Sequence, residues 1–371
     1  MSFQLNAGAV RRFAIAMRFG AWLQAFPNKL TPPPFRLMQI GSAFWQSRAL
    51  YVAARLDIAT VLGDEELDAN IIATRVAATA DATGRLLRLL AAIGVFEEKA
   101  AHVFRNNKIS AFLRSDNPKN VRAMILMHNA EALSRPWYEH LEQGIREGVP
   151  PFRLTHGEDL FDYLDHHADL DALFSAAMDS VEALTGDSFA TDFDWGRFER
   201  IIDVGGSRGA KSLAILKRHP RLTALVVDRP QVIAEAKQYW AEHSASAIER
   251  LRFQAGDALT TIPSAQSEKD IYLLSAVLHG FDNETCITIL RNVANACGQT
   301  GARIALLEMV LPEVGADVAA ASFDMQMFMG SLGRERTLSE WTALFDHAGM
   351  VLDEVVGLQS FGNILVLLPK K

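Results

Sequence analysis

The chain has 371 residues, of which 49% are hydrophobic and 22% charged, with a net charge of −7 at pH 7. These proportions belong to a globular protein long enough for two cores and exclude a disordered or fibrous chain. A pI near 5.8 argues against a general nucleic-acid binder, and no window approaches the roughly 18 to 20 uninterrupted apolar residues of a membrane-spanning helix.

Residues 1–26 place Val10, Phe13, Met17 and Trp22 at helical spacing among Arg11, Arg12 and Arg18. There is no continuous apolar stretch or small-residue cleavage pattern, so an amphipathic arm is expected rather than a signal peptide. Pro32-Pro33-Pro34 ends that helix. From Phe35 the apolar residues Leu37, Ile40, Phe44, Trp45 and Leu50 return to helical spacing, a run of the kind that packs on another chain or a large core.

The stretches 68–76 and 81–93 read as two short helices, with Asp81 as N-cap of the second. Residues 94–98 and 102–104 read as short strands, completing the outline of a winged helix. Its candidate recognition helix, Thr83–Ala92, offers only Arg85 and Arg88 beside a leucine-rich face. A helix that reads bases carries more polar groups in its first turn, so dimer packing is the expectation and DNA binding the lesser alternative. Helical patterns resume over 121–133, 137–147, 159–164 and 170–184, where Phe174 and Met178 lie one turn apart on one face. They suit core packing or a pocket wall.

Beyond Phe198, strand and helix patterns alternate. Strands are expected at 201–204, 224–227, 251–254, 271–275, 303–308, 351–358 and 363–369, and helices at 210–219, 232–244, 283–295 and 338–348. Such alternation predicts an α/β fold, a doubly wound, mostly parallel sheet with its ligand at the strands' C-terminal edge. The last two strands have no helix between them and are expected to pair as an antiparallel hairpin. The resulting boundaries are 1–118 for a helical, winged-helix-like domain, 119–195 for a helical bridge and 196–371 for the sheet domain.

The first of these strands runs Ile201-Ile202-Asp203-Val204 into Gly205-Gly206-Ser207-Arg208-Gly209, and a helix follows. Glycines there admit positive φ and let a ligand approach the backbone, with the helix's amide groups aimed at it. The second strand ends in Asp228, where an open α/β sheet grips a ribose diol. The third leads into Ala255-Gly256-Asp257, another acid on the same edge. Each acid alone also fits a cap or turn; in this order they predict a site for a nucleoside-like cofactor. His279 follows the strand 271–275, Glu308 ends the strand 303–308, and Glu335 precedes the helix at 338. A histidine acts as base in one tautomer when an acceptor fixes its second nitrogen, and either carboxylate suits that part. Read one by one, the three also fit a half-exposed loop histidine, a strand-end glutamate and a solvated Glu-Arg pair. Cys286 and Cys297 have no further ligand at metal spacing, so a reduced, cytoplasmic protein without a metal is expected.

Taken in order, Asp203-Val204-Gly205-Gly206-x-x-Gly209, Val227-Asp228-x-Pro230, Gly256-Asp257, Val277-Leu278-His279-x-Phe281-Asp282, Glu308-x-Val310-Leu311-Pro312 and Glu335-Arg336-Thr337-x-x-Glu340-Trp341 resemble the S-adenosylmethionine-dependent O-methyltransferases of the plant caffeate type and their bacterial relatives in pigment and antibiotic biosynthesis. The resemblance runs from about residue 40 to the end, and the segments 49–56 and 85–96 are similar to that family's dimerisation domain.

The resemblance implies a homodimer with S-adenosylmethionine as cofactor and a small aromatic or polyketide-like molecule as acceptor. It places Asp203, Gly205, Gly206 and Gly209 around the cofactor's methionine part, Asp228 on the ribose, and Asp257 with Ala258 beside the adenine. Ser275 falls near the cofactor where plant members carry lysine. His279 becomes the base, flanked by Glu308 and Glu335, and Phe174, Met178, Met325, Met327 and Met329 fall among positions lining the acceptor pocket. The chain departs from the family at Ser207, where a third glycine is usual, and in His279-Gly280-Phe281, where the family has His-Asp-Trp. Two other readings remain: an enzyme of this fold that binds the cofactor without methylating, and a ligand-sensing regulator built on the winged helix.

Overall fold

The computed structural model describes residues 2–243 and 248–370, with the backbone alone for 182–185. Contacts group residues 1–21 with 186–371 in one unit and residues 22–185 in another. The boundary therefore falls elsewhere than at 118 and 195: the helical bridge up to Thr185 groups with the N-terminal helices, and the first residues group with the sheet.

In the sheet unit, β1 (Arg200–Val204), β2 (Thr223–Asp228), β3 (Leu251–Ala255), β4 (Asp270–Ser275), β5 (Arg303–Glu308), β6 (Met350–Gly357) and β7 (Asn363–Pro369) lie in the order β6-β7-β5-β4-β1-β2-β3. The first five are mutually parallel, and β7 runs antiparallel to both β5 and β6. Strand order reverses between β1 and β4, where loops leave in opposite directions and open a crevice. Strand β4 has Tyr272 and Leu274 in one apolar core and Ile271 and Leu273 in the other. Burial on both faces explains why its sequence is an unbroken apolar run rather than an alternating one.

The helices that follow β1 in this unit include α1 (Ala210–Arg218), α2 (Pro230–His243), α3 (Asn283–Cys297), α4 (Val318–Gly330) and α5 (Leu338–His347). Ser244, expected in α2, lies outside the described residues. Asp282 caps α3 by accepting the Thr285 amide at 2.7 Å, and Thr337 with Glu340 forms a reciprocal capping box on α5. Helix α4 is absent from the sequence expectations. Its apolar residues run all round the axis without a stripe, and its one local signal is Asp317, which accepts the Ala320 amide at 2.9 Å.

The first residues lie in extended conformation on the sheet unit. Phe3 is 4% exposed, its ring stacks on Phe193 at 5.4 Å, and its amide donates to Glu354 at 2.8 Å. Gln4 joins Gly357 through both its amide oxygen and its amide nitrogen.

In the other unit, Leu67–Asp68, Val103–Asn106 and Phe96–Ala100 form a small antiparallel sheet beside helices Ala69–Arg75 and Ala80–Ala92. Thr79, not Asp81, occupies the N-cap of the second helix. Asp81 sits in the first turn and pairs with Arg85 at 2.9 Å, while Arg88 approaches Glu98 at 4.0 Å. The expected helix 121–133 is divided at Ala130, and 137–147 at His140, so shorter pieces replace long ones. Trp22, Phe26, Leu30, Phe35, Leu37 and Trp45 leave 48% to 72% of their surface exposed. Among the described residues no helix is long and apolar enough to cross a membrane.

Candidate active site

Parallel strands end on one edge, so β1, β2, β4 and β5 deliver Asp203, Asp228, Ser275 and Glu308 to the same side of the sheet. After Val204 the chain turns through Gly205, with φ +74°, and its amide donates to Val227 O at 2.8 Å. A Cβ on Gly205 would stand 2.8 Å from Val277 Cγ2, so any side chain would push the β1 and β4 loops apart. Asp203 is 2% exposed and lies beneath Gly206, its carboxylate accepting the Ser212 hydroxyl at 2.6 Å. It supports the turn from below. Gly209, at φ +74°, is the N-cap of α1.

The Asp228 carboxylate accepts the Ser207 amide at 2.9 Å on one oxygen and the Arg229 amide at 2.8 Å on the other. Each oxygen keeps a second lone-pair direction, which suits a vicinal diol. Ser207 reaches that bond in a left-handed conformation, φ +51°, a strained place for a residue with a Cβ. Its bulky neighbour Arg208 lies over the Tyr239 ring, 4.6 Å from its centroid, and its carbonyl accepts from the Trp240 indole at 2.7 Å. Arg208 is thus carried away from the turn onto α2. Exposed Asp257 closes its own turn through the Leu259 amide at 2.9 Å, and Ala258 O accepts from Asn292 at 2.9 Å. The Ser275 hydroxyl is buried without a partner, an arrangement expected of a group that meets a ligand. Backbone exposed at glycine, a strand-tip carboxylate with spare acceptor sites and an unpartnered hydroxyl fit a nucleoside cofactor with an amino-acid tail.

Beside this cradle, the structure brings together the three residues singled out as a base and its acceptors. His279 stands on a short 3-10 turn, Leu278–Gly280. Its Nδ1 lies 2.9 Å from Glu335 Oε1 and 3.7 Å from Glu308 Oε2, with both carboxylates fully buried and His279 18% exposed. Glu308 Oε1 accepts the Val277 and Leu278 amides at 3.1 and 2.9 Å. Burial disfavours the imidazolium, but the Glu308 charge, together with the Glu335 hydrogen bond and charge, outweighs it and holds the His279 pKa above its ordinary value. Burial pushes the Glu308 carboxyl above the usual carboxylate range against the opposing pull of His279. The His279 ring faces Phe323 on α4 at 6.0 Å, and Asp324 on the same helix accepts the Glu335 amide at 2.8 Å.

Sequence reasoning missed what fixes this turn. Arg336 is 1% exposed, so Glu335-Arg336 is no solvated pair. Its guanidinium donates to Leu278 O, Phe281 O, Arg334 O and Asn283 Oδ1 at 2.9 to 3.3 Å, and lies over the Trp341 ring at 5.0 Å. The Cys286 thiol donates to Leu278 O at 3.1 Å. Gly333 passes so close that a Cβ there would stand 2.1 Å from His279 O. Arg336 stood within a recognised motif; nothing local revealed that the carbonyls of a distant turn would meet it. Of the acceptor-side candidates, Met325 and Met327 are half-buried on α4 and Met329 is buried. Phe174 and Met178 belong to the other unit, where Phe174 meets Phe161 edge-on at 6.1 Å and Met178 is exposed.

A doubly wound sheet with a glycine turn after β1, an acid at the tip of β2 and a histidine held by buried carboxylates defines a methyltransferase-type enzyme. The chain belongs to the O-methyltransferase family: residues 138–351 match the O-methyltransferase domain and residues 38–116 the O-methyltransferase dimerisation domain. The donor used by that family is S-adenosylmethionine. The phenazine O-methyltransferase PhzM of Lysobacter antibioticus is 30% identical over 90% of this chain and 95% of its own. An 8-amino-8-demethylriboflavin N,N-dimethyltransferase of Streptomyces davaonensis is also 30% identical, over 89% and 92%. Among solved structures, human N-acetylserotonin methyltransferase in complex with S-adenosylmethionine superposes with a TM-score of 0.79 at 25% identity, over 92% of this chain and 99% of that one.

Proposed function

We propose that this chain transfers the methyl group of S-adenosylmethionine to a hydroxyl of an aromatic or polyketide-like small molecule, with His279 as general base. The observation that carries this reading is the 2.9 Å contact between His279 Nδ1 and buried Glu335. With Nδ1–H donating to that carboxylate, the tautomer is fixed and the Nε2 lone pair is left basic.

When bound, the cofactor supplies an electrophilic methyl on a sulfonium. Asp228 would hold its ribose hydroxyls, the Gly205–Gly209 turn would take the amino-acid end, Ser275 would offer its buried hydroxyl, and Asp257 with Ala258 would border the adenine. His279 Nε2 removes the acceptor's hydroxyl proton as its oxygen attacks. A phenol, with a pKa of about 10, is a poor nucleophile near neutrality, and such a base contributes roughly 10² to 10⁴ in rate. Glu335 holds the imidazolium that forms. Met325 and Met329, on the helix that carries Phe323, are acceptor-side candidates, as are Phe174 and Met178 of the other unit.

Amine acceptors are a second reading, supported by the N,N-dimethyltransferase among the relatives. An amine already carries a nucleophilic lone pair and needs its proton removed only after attack. Transfer of labelled methyl to panels of phenols and aromatic amines, with His279→Ala alongside, separates the two. O-methylation is supported by label on phenols that the variant loses while still binding cofactor; unchanged turnover in the variant sinks His279 as base.

We also propose a homodimer formed through residues 22–45 and the dimerisation domain, because a monomer would leave Trp22, Phe35 and Trp45 half exposed or more. A monomer mass by light scattering at micromolar concentration would refute it.

A further inference from the structure

Two buried carboxylates converge on one face of a single imidazole, and the donors around them do not suffice. The Nδ1 proton goes to Glu335 Oε1 at 2.9 Å; Glu308 Oε2, at 3.7 Å, is beyond hydrogen-bond reach. Glu308 Oε2 and Glu335 Oε2 are both buried without a hydrogen-bond partner among the described residues. An ionised carboxylate oxygen left dry and unpaired is costly, and two beside each other repel as well. One further proton, carried on Oε2 of Glu308, removes one negative charge and turns an orphaned acceptor into a donor.

We propose that Glu308 is a protonated carboxylic acid in the resting enzyme, so that His279 faces the single charge of Glu335 and stays neutral until the acceptor delivers its proton. This rests on His279 being the base. It answers a difficulty in that reading: beside two ionised carboxylates the imidazole would be protonated before the acceptor arrived, and a protonated histidine accepts nothing.

The other groups around the pair divide: the Val277 and Leu278 amides favour an ionised Glu308, and burial with the neighbouring Glu335 charge opposes them. Glu308 Oε1 takes the Val277 and Leu278 amides, so the proton belongs on Oε2. The Cys286 thiol, pushed up to about 11 chiefly by burial, is neutral and brings no charge. Arg336 is spent on carbonyls and Asn283, and its charge opposes protonation of His279. Glu335 is the carboxylate within hydrogen-bond reach of the imidazole. During turnover the proton leaving the acceptor oxygen ends on Nε2, giving an imidazolium, one carboxylate and one carboxylic acid, with no net charge buried. With both glutamates ionised, the resting cluster with neutral His279 would hold two negative charges in a dry site.

The test is infrared spectroscopy of the whole enzyme near neutral pH, with Glu308→Gln and Glu335→Gln as variants. A carboxylic-acid carbonyl band that shifts in deuterium oxide and disappears in Glu308→Gln supports the proposal. Absence of any such band in the wild-type enzyme overturns it, whether or not the variants fold. Kinetics give an independent arm. Glutamine mimics the neutral acid, so Glu308→Gln should lose less than about tenfold in kcat and keep the acid limb of the pH profile in place, whereas Glu335→Gln should lose about 100-fold or more. Equal losses in the two variants, or an acid limb moved to lower pH by Glu308→Gln, would overturn the assignment. Failure of the base reading is distinguishable, because His279→Ala would then turn over normally whatever the infrared band shows.

Discussion

Replacing Gly333 by alanine tests whether the reacting geometry depends on a close approach of two backbones. The added methyl would meet His279 O at 2.1 Å, Gly280 C at 2.7 Å and Gly280 Cα at 2.8 Å, where real Cβ contacts stay above 3.0 Å. All three are backbone atoms, so no side chain can swing aside. Relief requires the turn that carries His279 to move by about 0.9 Å, the shortfall of the nearest contact. Arg336 and Cys286 both donate to Leu278 O in that turn, so the displacement cannot spread freely. A misplacement of about 1 Å costs on the order of 10² in rate, which is about 2.7 kcal/mol in the barrier. Overpacking should also lower stability by about 1 to 3 kcal/mol. Steady-state kcat with saturating S-adenosylmethionine, calorimetric titration of the cofactor and thermal denaturation give the three readouts. The expected pattern is a fall of about 100-fold in kcat, little change in cofactor affinity and a modest fall in Tm. A Gly333→Ala enzyme with wild-type kcat would show that the turn absorbs the methyl without moving its histidine, and the reasoning would fail.

Other perturbations follow from the same geometry. Arg336→Leu removes the guanidinium that donates to Leu278 O, Phe281 O and Arg334 O and should cost about 1 to 3 kcal/mol, read by chemical denaturation; no measurable loss would mean water or a neighbour replaces the guanidinium. Asp228→Ala should abolish micromolar cofactor binding in a titration and also loosen the turn at Ser207, whereas unchanged binding would remove Asp228 from the cradle. Phe3→Ala should destabilise by about 3 to 5 kcal/mol with kcat intact, because the ring is buried against Phe193 and Phe198 away from the base; an unchanged Tm would contradict that packing. Because burial raises the Glu308 pKa, the native state holds that proton more tightly than the unfolded chain. The stability it contributes is complete below the unfolded carboxyl pKa and is lost as pH rises through the folded one. Tm followed across pH in the wild type and in Glu308→Gln should therefore diverge over that window, and parallel curves would refute the assignment.

How much of this was legible in the chain depends on how far each feature reaches. The alternation of apolar strands and amphipathic helices beyond Phe198 is local, and it placed all seven strands of the large sheet within a residue or so. The glycine turn, Asp228 and Asp257 were legible for a related reason. In a parallel sheet every strand ends on one edge, so order along the chain already puts these residues on one side. Helix α4 escaped because an apolar segment without a polar face has no periodicity to detect, and the helices around Ala130 and His140 were expected to be longer because apolar pattern alone does not mark a break.

Chemistry at His279 required the third dimension. The sequence supplied a histidine and two glutamates in three separate segments and could say only that they share an edge. Tertiary structure decided that both carboxylates are buried, that one lies within hydrogen-bond reach of Nδ1 while the other lies beyond it, and that Arg336 turns inward to clamp the turn instead of outward to water. The difference is physical. Secondary structure and strand order follow from interactions between residues near in sequence, whereas desolvation and the count of donors against acceptors are set by which distant groups the fold closes around the same few ångströms.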